Sequence, residues 1–266
     1  MGTILEREWG ELLKKEERML SLAEKKKTWL LDEKIDDLAD KIEQKIPEKI
    51  TFMLNDAFYK AFFLIFEKGT DVIEKTFRSE ELELEFQVND FRLSKKPTKR
   101  SLKKLEAAGR KSHLLNSCVT TAEGIGLGIL GIGVPDIPIF LGMLLKGIYE
   151  TAASYGYDYN KKEEQILILR MISAGLADGA EKRKADTYVE EWMSDMKRET
   201  MSLFEAEVRG ASKALSDVML TAKFVQGLPV VGALGGINNP LVYQKILQYV
   251  MLKYKKRYLL AKRKGA

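Results

Sequence analysis

Residues 81–88 read ELELEFQV, and the fold class turns on them. Leu82, Leu84, Phe86 and Val88 alternate with Glu81, Glu83, Glu85 and Gln87, which is the period of a half-buried strand. No second segment alternates in the same way, and an isolated strand is not stable in water. The segment is therefore expected to be strand-like or irregular inside an otherwise helical chain. The residues that follow, 89–100 (NDFRLSKKPTKR), read as a basic linker around Pro97.

Everything outward from this stretch has helical periodicity. On the N-terminal side, Phe52 to Phe66 is apolar around most of its circumference, with Asn55, Asp56 and Lys60 as interruptions, and Pro47 suits the first turn. A membrane span needs about 20 apolar residues, so this run reads as a core helix. Residues 4–45 form one long or once-broken polar helix. Its stripe of Leu5, Trp9, Leu12, Leu13, Met19 and Leu20 resumes at Ile35, Leu38, Ile42 and Ile46. So thin a stripe suits a helix that clasps the body or a partner. The division expected is an extension, 1–46, and a main domain, 47–266.

On the C-terminal side a helix is expected from about Ser101 to Thr121, and another from near Pro138 to Ser154. Asn160, with Glu163 three residues on, has the form of a capping box for a helix from Lys161 to about Ala177. A long amphipathic segment spans roughly Ala180 to Val225, and a basic helix runs from about Leu241 to Lys262. Two Gly-rich apolar stretches interrupt the helices, 124–145 (GIGLGILGIGVPDIPIFLGMLL) and 224–244 (FVQGLPVVGALGGINNPLVYQ). Each follows a helix ending in Thr-Ala and restarts as a helix after a proline, Pro138 or Pro240. The chain thus reads as all-α, one multi-helix domain of eight or nine helices, with two helix–elbow–helix units.

Charge is distributed unevenly. Residues 218–266 hold nine basic residues and no Asp or Glu, which leaves the first 217 residues net acidic. Tyr249, Tyr254 and Tyr258 lie among Lys253, Lys255, Lys256 and Arg257, with Lys262, Arg263 and Lys264 beyond. Basic residues with interleaved aromatics suit an anionic membrane surface, and the same composition would serve a nucleic-acid backbone. No secretory leader is expected, because Leu5 to Trp29 is studded with Glu, Lys and Arg. The single Cys fits a reducing cytosol.

With one His and one Cys, the chain can build no Cys/His zinc site, metalloprotease His pair or disulfide framework. His113 and Cys118, five apart on a helix, face away from each other. Gly126-x-Gly128-x-x-Gly131 copies the dinucleotide fingerprint, but a helix precedes it and Pro135 follows, so a strand–loop–helix phosphate cradle is not expected. Glu123, Asp136 and Glu150 could pair to bind a cation or do acid–base work, while Asp136 also suits a helix cap before Pro138.

Gly133-Val134-Pro135-Asp136-Ile137-Pro138, Tyr155-Gly156-Tyr157-Asp158 and Glu163-Glu164 resemble the EcsC protein family. So do Pro229-Val230-Val231-Gly232 through Gly235-Gly236, Asn238-Asn239 and Lys256-Arg257-Tyr258-Leu259. The resemblance covers roughly residues 100–266. It implies a mostly helical bacterial protein without an established activity. The family's namesake is encoded beside the ATPase and membrane subunits of an export system, which implies an accessory role at the cytoplasmic face and ABC transporter subunits as candidate partners.

The function expected is non-enzymatic: a peripheral membrane-associated accessory or scaffold protein, linked to an export system or sheltering a lipid or apolar chain. No cofactor or metal is expected. Anionic-surface contact falls to Lys253, Lys255, Lys256, Arg257, Lys262, Arg263 and Lys264. Apolar contact falls to the elbows: Ile125, Leu127, Ile129, Leu130, Ile132 and Val134 in the first, Leu228, Val230, Val231 and Leu234 in the second. A nucleic-acid-binding module and a carboxylate-based hydrolase are the alternatives.

Overall fold

A computed structural model describes residues 2–25, 47–76, 78–116, 136–195, 201–225 and 239–264. Among them every regular element is helical. We number them α1 (Gly2–Lys25), α2 (Glu48–Leu64), a π turn (Ile65–Gly69), α3 (Thr70–Glu74), α4 (Ser79–Lys95), α5 (Lys99–Asn116), α6 (Asp136–Ser154), α7 (Lys162–Leu176), α8 (Glu181–Ser194), α9 (Met201–Val225) and α10 (Asn239–Lys264). Counting 48–74 as one run gives nine helices among the described residues, and the protein is an all-α single domain.

The core is built around α7. Ile166 to Ile172 is buried on every face of that helix, as expected for a helix packed on all sides. It lies between α9, α10 and α8, while α6 packs on α2, α4, α5 and α10. Gly175 lets α10 come close: a Cβ there would sit 3.2 Å from the Ile246 Cα. The π turn loosens the α2–α3 run, and Thr70 Oγ1 donates to the Ile65 carbonyl there at 3.3 Å.

The 81–88 segment is helical, not strand-like. Its alternation comes from two apolar stripes on one helix. Leu82, Phe86, Asn89 and Leu93 face inward, with Asn89 and Leu93 buried. Leu84, Val88 and Phe91, spaced i, i+4, i+7, form a second stripe on the outer face, and all three are exposed. Two stripes offset by two residues give period two in the sequence while the backbone turns every 3.6. The expected linker 89–100 is correspondingly short: 89–95 completes α4, and only residues 96–98 separate it from α5. Thr98 and Ser101 join that corner, the Thr98 N–H donating to Ser101 Oγ at 3.0 Å and the Ser101 N–H to Thr98 Oγ1 at 3.1 Å.

The capping box at Asn160 does not form. Lys161 is the residue at the start of α7, without a side-chain cap, and Asn160 Nδ2 instead donates to Glu74 Oε1 at 3.0 Å. The 180–225 segment is two helices, α8 and α9. Between α7 and α8, Gly179 takes φ +56° and its N–H donates to the Ala23 carbonyl at 3.1 Å, pinning the end of α1. Helix α1 clasps the body, lying across α8 and α10 with Leu5, Leu12 and Leu20 buried. Both Gly-rich elbows lie outside the described residues between their flanking helices. Helices α6 and α10 begin at Asp136 and Asn239, close to the prolines that were expected to restart them.

Candidate functional site

Six of the seven basic residues assigned to anionic-surface contact pair with carboxylates of the same chain. Arg257 Nη1 donates to both carboxylate oxygens of Glu164, at 2.8 and 2.7 Å. Lys262 pairs with Asp90 at 2.6 Å and Arg263 with Glu6 at 3.3 Å. Lys255 pairs with Glu106 at 2.7 Å and Glu8 at 3.1 Å. Lys256 pairs with Glu16 at 2.6 Å and Glu190 at 2.8 Å. Lys253 is 1% exposed. Lys264 alone of the seven stands at the exposed end of α10 without a charge partner among the described residues. The acids missing from the sequence of this helix are supplied by α1, α4, α5, α7 and α8. The tyrosines follow the same logic, Tyr249 donating to Asp186, Tyr254 to Glu164 and Tyr258 to Asp90.

Lys253 is the centre of this network. Its Nζ lies 2.6 Å from Glu16, 2.7 Å from Asp186 and 2.5 Å from Glu190. Burial by itself would lower its pKa; Glu190, Asp186 and Glu16 overcome that and hold it above the ordinary lysine value. Glu190 is affected in the opposite sense: burial would raise it, and Lys253 with Lys256 holds it below the usual carboxylate range. Oxygens of Glu16, Asp186 and Glu190 are close enough together to hold a metal ion. The Lys253 ammonium occupies that position, so the triad has its cation from within the chain.

Lys182 stands beside this network. It is 2% exposed, and its Nζ donates to the Ala174 carbonyl at 2.5 Å and lies 4.6 Å from the Tyr249 ring centroid. Burial pushes its pKa down to about 8, with Asp178 and Asp186 opposing the fall. It lines an open cleft of about 390 Å³ between α1, the α7–α8 corner and the start of α10.

The exposed basic surface lies elsewhere, where α4 turns into α5. Arg92, Lys95, Lys96, Lys99, Arg100, Lys103 and Lys104 are all exposed. No acidic residue occurs from 92 to 104, and among the described residues no carboxylate lies within ion-pair distance of any of the seven. Lys95 Nζ lies 5.6 Å from the ring centroid of Phe91, which is 62% exposed at the end of the outer apolar stripe. The sequence signal was the basic run 89–100, which charge alone could not distinguish from a solvated linker. A second cleft, about 420 Å³, is acidic: Glu74, Glu80, Glu83 and Asp158 line it with Tyr157 and Tyr159. Glu74 is engaged there, accepting from Tyr159 at 2.8 Å and from Asn160.

The elbow residues assigned to apolar contact (Ile125, Leu127, Ile129, Leu130, Ile132, Val134, Leu228, Val230, Val231 and Leu234) lie outside the described residues, as do Cys118, Glu123, the side chains of His113 and Asp136, and the Gly126–Gly131 motif. Glu150 is buried in α6.

The EcsC protein family model matches residues 6–259. The chain belongs to the EcsC protein family. Most of the 1–46 segment therefore falls within the span of the EcsC match. Two relatives are from Bacillus subtilis (strain 168). Protein EcsC is 25% identical over 202 residues, which is 75% of this chain and 75% of that protein. The uncharacterized protein YdbA is 26% identical over 162 residues, 59% of this chain and 58% of YdbA. No solved structure matches this EcsC-family chain.

Proposed function

We propose that this chain is a non-enzymatic, peripheral membrane-associated accessory or scaffold protein that adheres to anionic bilayers through the α4–α5 corner. The observation that carries the reading is the cluster of seven exposed basic residues at 92–104, without a carboxylate partner among the described residues, beside the exposed Phe91. Each basic residue near an anionic leaflet contributes on the order of 1 kcal/mol, and an aromatic ring beside the cluster can enter the interface. Not all seven reach the lipid at once, yet three or four suffice for reversible adhesion. Among the described residues no helix is long and apolar enough to cross a membrane, so adhesion through this corner requires no span. The family resemblance adds an expected place at the cytoplasmic face beside ABC export subunits, where such a corner would hold the protein to the bilayer.

The test is liposome flotation. Vesicles of phosphatidylglycerol and phosphatidylcholine should float the wild type at low salt, and pure phosphatidylcholine should not. Lys95, Lys96, Lys99 and Arg100 replaced together by Gln should sharply reduce flotation with helicity unchanged. A polyanion-binding module is the competing outcome: a mobility shift with DNA or RNA, without flotation, would replace this reading.

A further inference from the structure

Among the described residues three cations are buried: Arg170, Lys182 and Lys253. Arg170 pairs with Glu207 at 2.9 Å, and Lys253 is held by three carboxylates. Among the described residues Lys182 has no carboxylate within ion-pair distance. Burying an ammonium without an anion is costly, because its hydration is lost and nothing of opposite charge replaces it. Its one hydrogen bond caps the Ala174 carbonyl in the last turn of α7, an orphan acceptor of the helix end. That uses one N–H of three.

The surroundings of Lys182 supply the second half of a ligand. The 390 Å³ cleft that it lines is in the size class of small-molecule sites. Met19 and Leu22 of α1 and Leu241 of α10 form its apolar lining, with Leu22 and Leu241 exposed at the rim. Its charged lining is Lys182, Lys245 and Asp178, and Lys245 Nζ lies 2.8 Å from Asp178, so the uncompensated charge of the cleft is positive.

We infer that this cleft binds an anionic amphiphile, with the head group paired to Lys182 and the chain lying against Met19, Leu22 and Leu241. The lowered pKa of Lys182 agrees with an amine that lacks its counter-ion. The inference is independent of the membrane reading: it concerns a different face of the molecule, and either can fail while the other stands.

Laurate below its critical micelle concentration is the probe, with dodecanol (same chain, no charge) and inorganic phosphate (charge, no chain) as the other arms. Titration calorimetry on the full chain at pH 7 should show saturable laurate binding, with dodecanol and phosphate each weaker by about tenfold or more. Lys182→Met should lose the affinity while keeping the helical circular dichroism. Should that variant fail to fold, Leu22→Asp, an exposed change on the chain side, should lose it instead. Absence of saturable laurate binding, equal binding by the variants, or dodecanol binding as tightly as laurate would overturn the proposal. A lysine that only caps α7 gives the first of these results.

Discussion

Lys253 Nζ donates to Glu16 Oε1 at 2.6 Å, joining two residues 237 positions apart. This contact ties the first helix to the last and explains why a helix so basic in sequence is a core element. Both partners are buried, so the pair must be judged as a desolvated network and not as surface charge. Buried ion pairs add little net stability over an apolar isostere, but removing one partner leaves its counter-ions stranded.

Lys253→Met should therefore destabilise the fold by about 3–5 kcal/mol, because Glu16, Asp186 and Glu190 lose their shared cation. Urea unfolding followed by circular dichroism measures it. The double variant Lys253→Met with Asp186→Asn should recover part of the loss, since one stranded charge is removed.

Gly156→Ala should destabilise as well. Gly156 takes φ +77°, where an L side chain is strained, and a Cβ there would lie 2.3 Å from the Phe86 ring. Strain and displacement of the ring together should cost about 2–4 kcal/mol. Phe86→Leu in the Gly156→Ala background should relieve the steric part alone, which a double-mutant cycle isolates.

The two stripes of α4 show what sequence periodicity can and cannot reveal. Leu82, Leu84, Phe86 and Val88 alternate because Leu82 and Phe86 serve the core while Leu84, 61% exposed, and Val88 serve an outer face. A window of eight residues does not separate two interleaved helical stripes from one strand. The core helices α2, α6 and α7 were legible, since their apolar residues wrap most of the circumference. The role of α10 was not: its basic residues were visible, but the acids that neutralise them come from five other helices, and only folding brings them together. Charge balance along a sequence is not charge balance in space. The exposed corner at 92–104 was visible as a basic run, but which basic residues lack partners among the described residues emerges only from the fold.

Lys182 gives a pH signature. Its pKa is lowered to about 8 in the folded protein and is near 10.5 when exposed, so between those values the unfolded chain holds more protons. Stability contributed by this group therefore rises with pH from about 8 to 10.5, by an amount on the order of 3 kcal/mol at most. Asp178, Asp186 and Lys253 face the same amine. The difference in unfolding free energy between wild type and Lys182→Met, measured from pH 7 to 9.5, should grow in favour of the wild type. A flat difference would show that Lys182 titrates normally.

In the proposed function the protein meets anionic bilayers with the α4–α5 corner and not with α10. Environment-sensitive fluorescence from an NBD label on a single cysteine, in a chain with Cys118→Ser, reads this contact. Labels at residue 91 and at residue 264 are compared as phosphatidylglycerol vesicles are added. Emission from residue 91 should shift to the blue and become protected from iodide quenching, while residue 264 stays in water. Protection at 264 with residue 91 still in water would contradict the account and return adhesion to the end of α10.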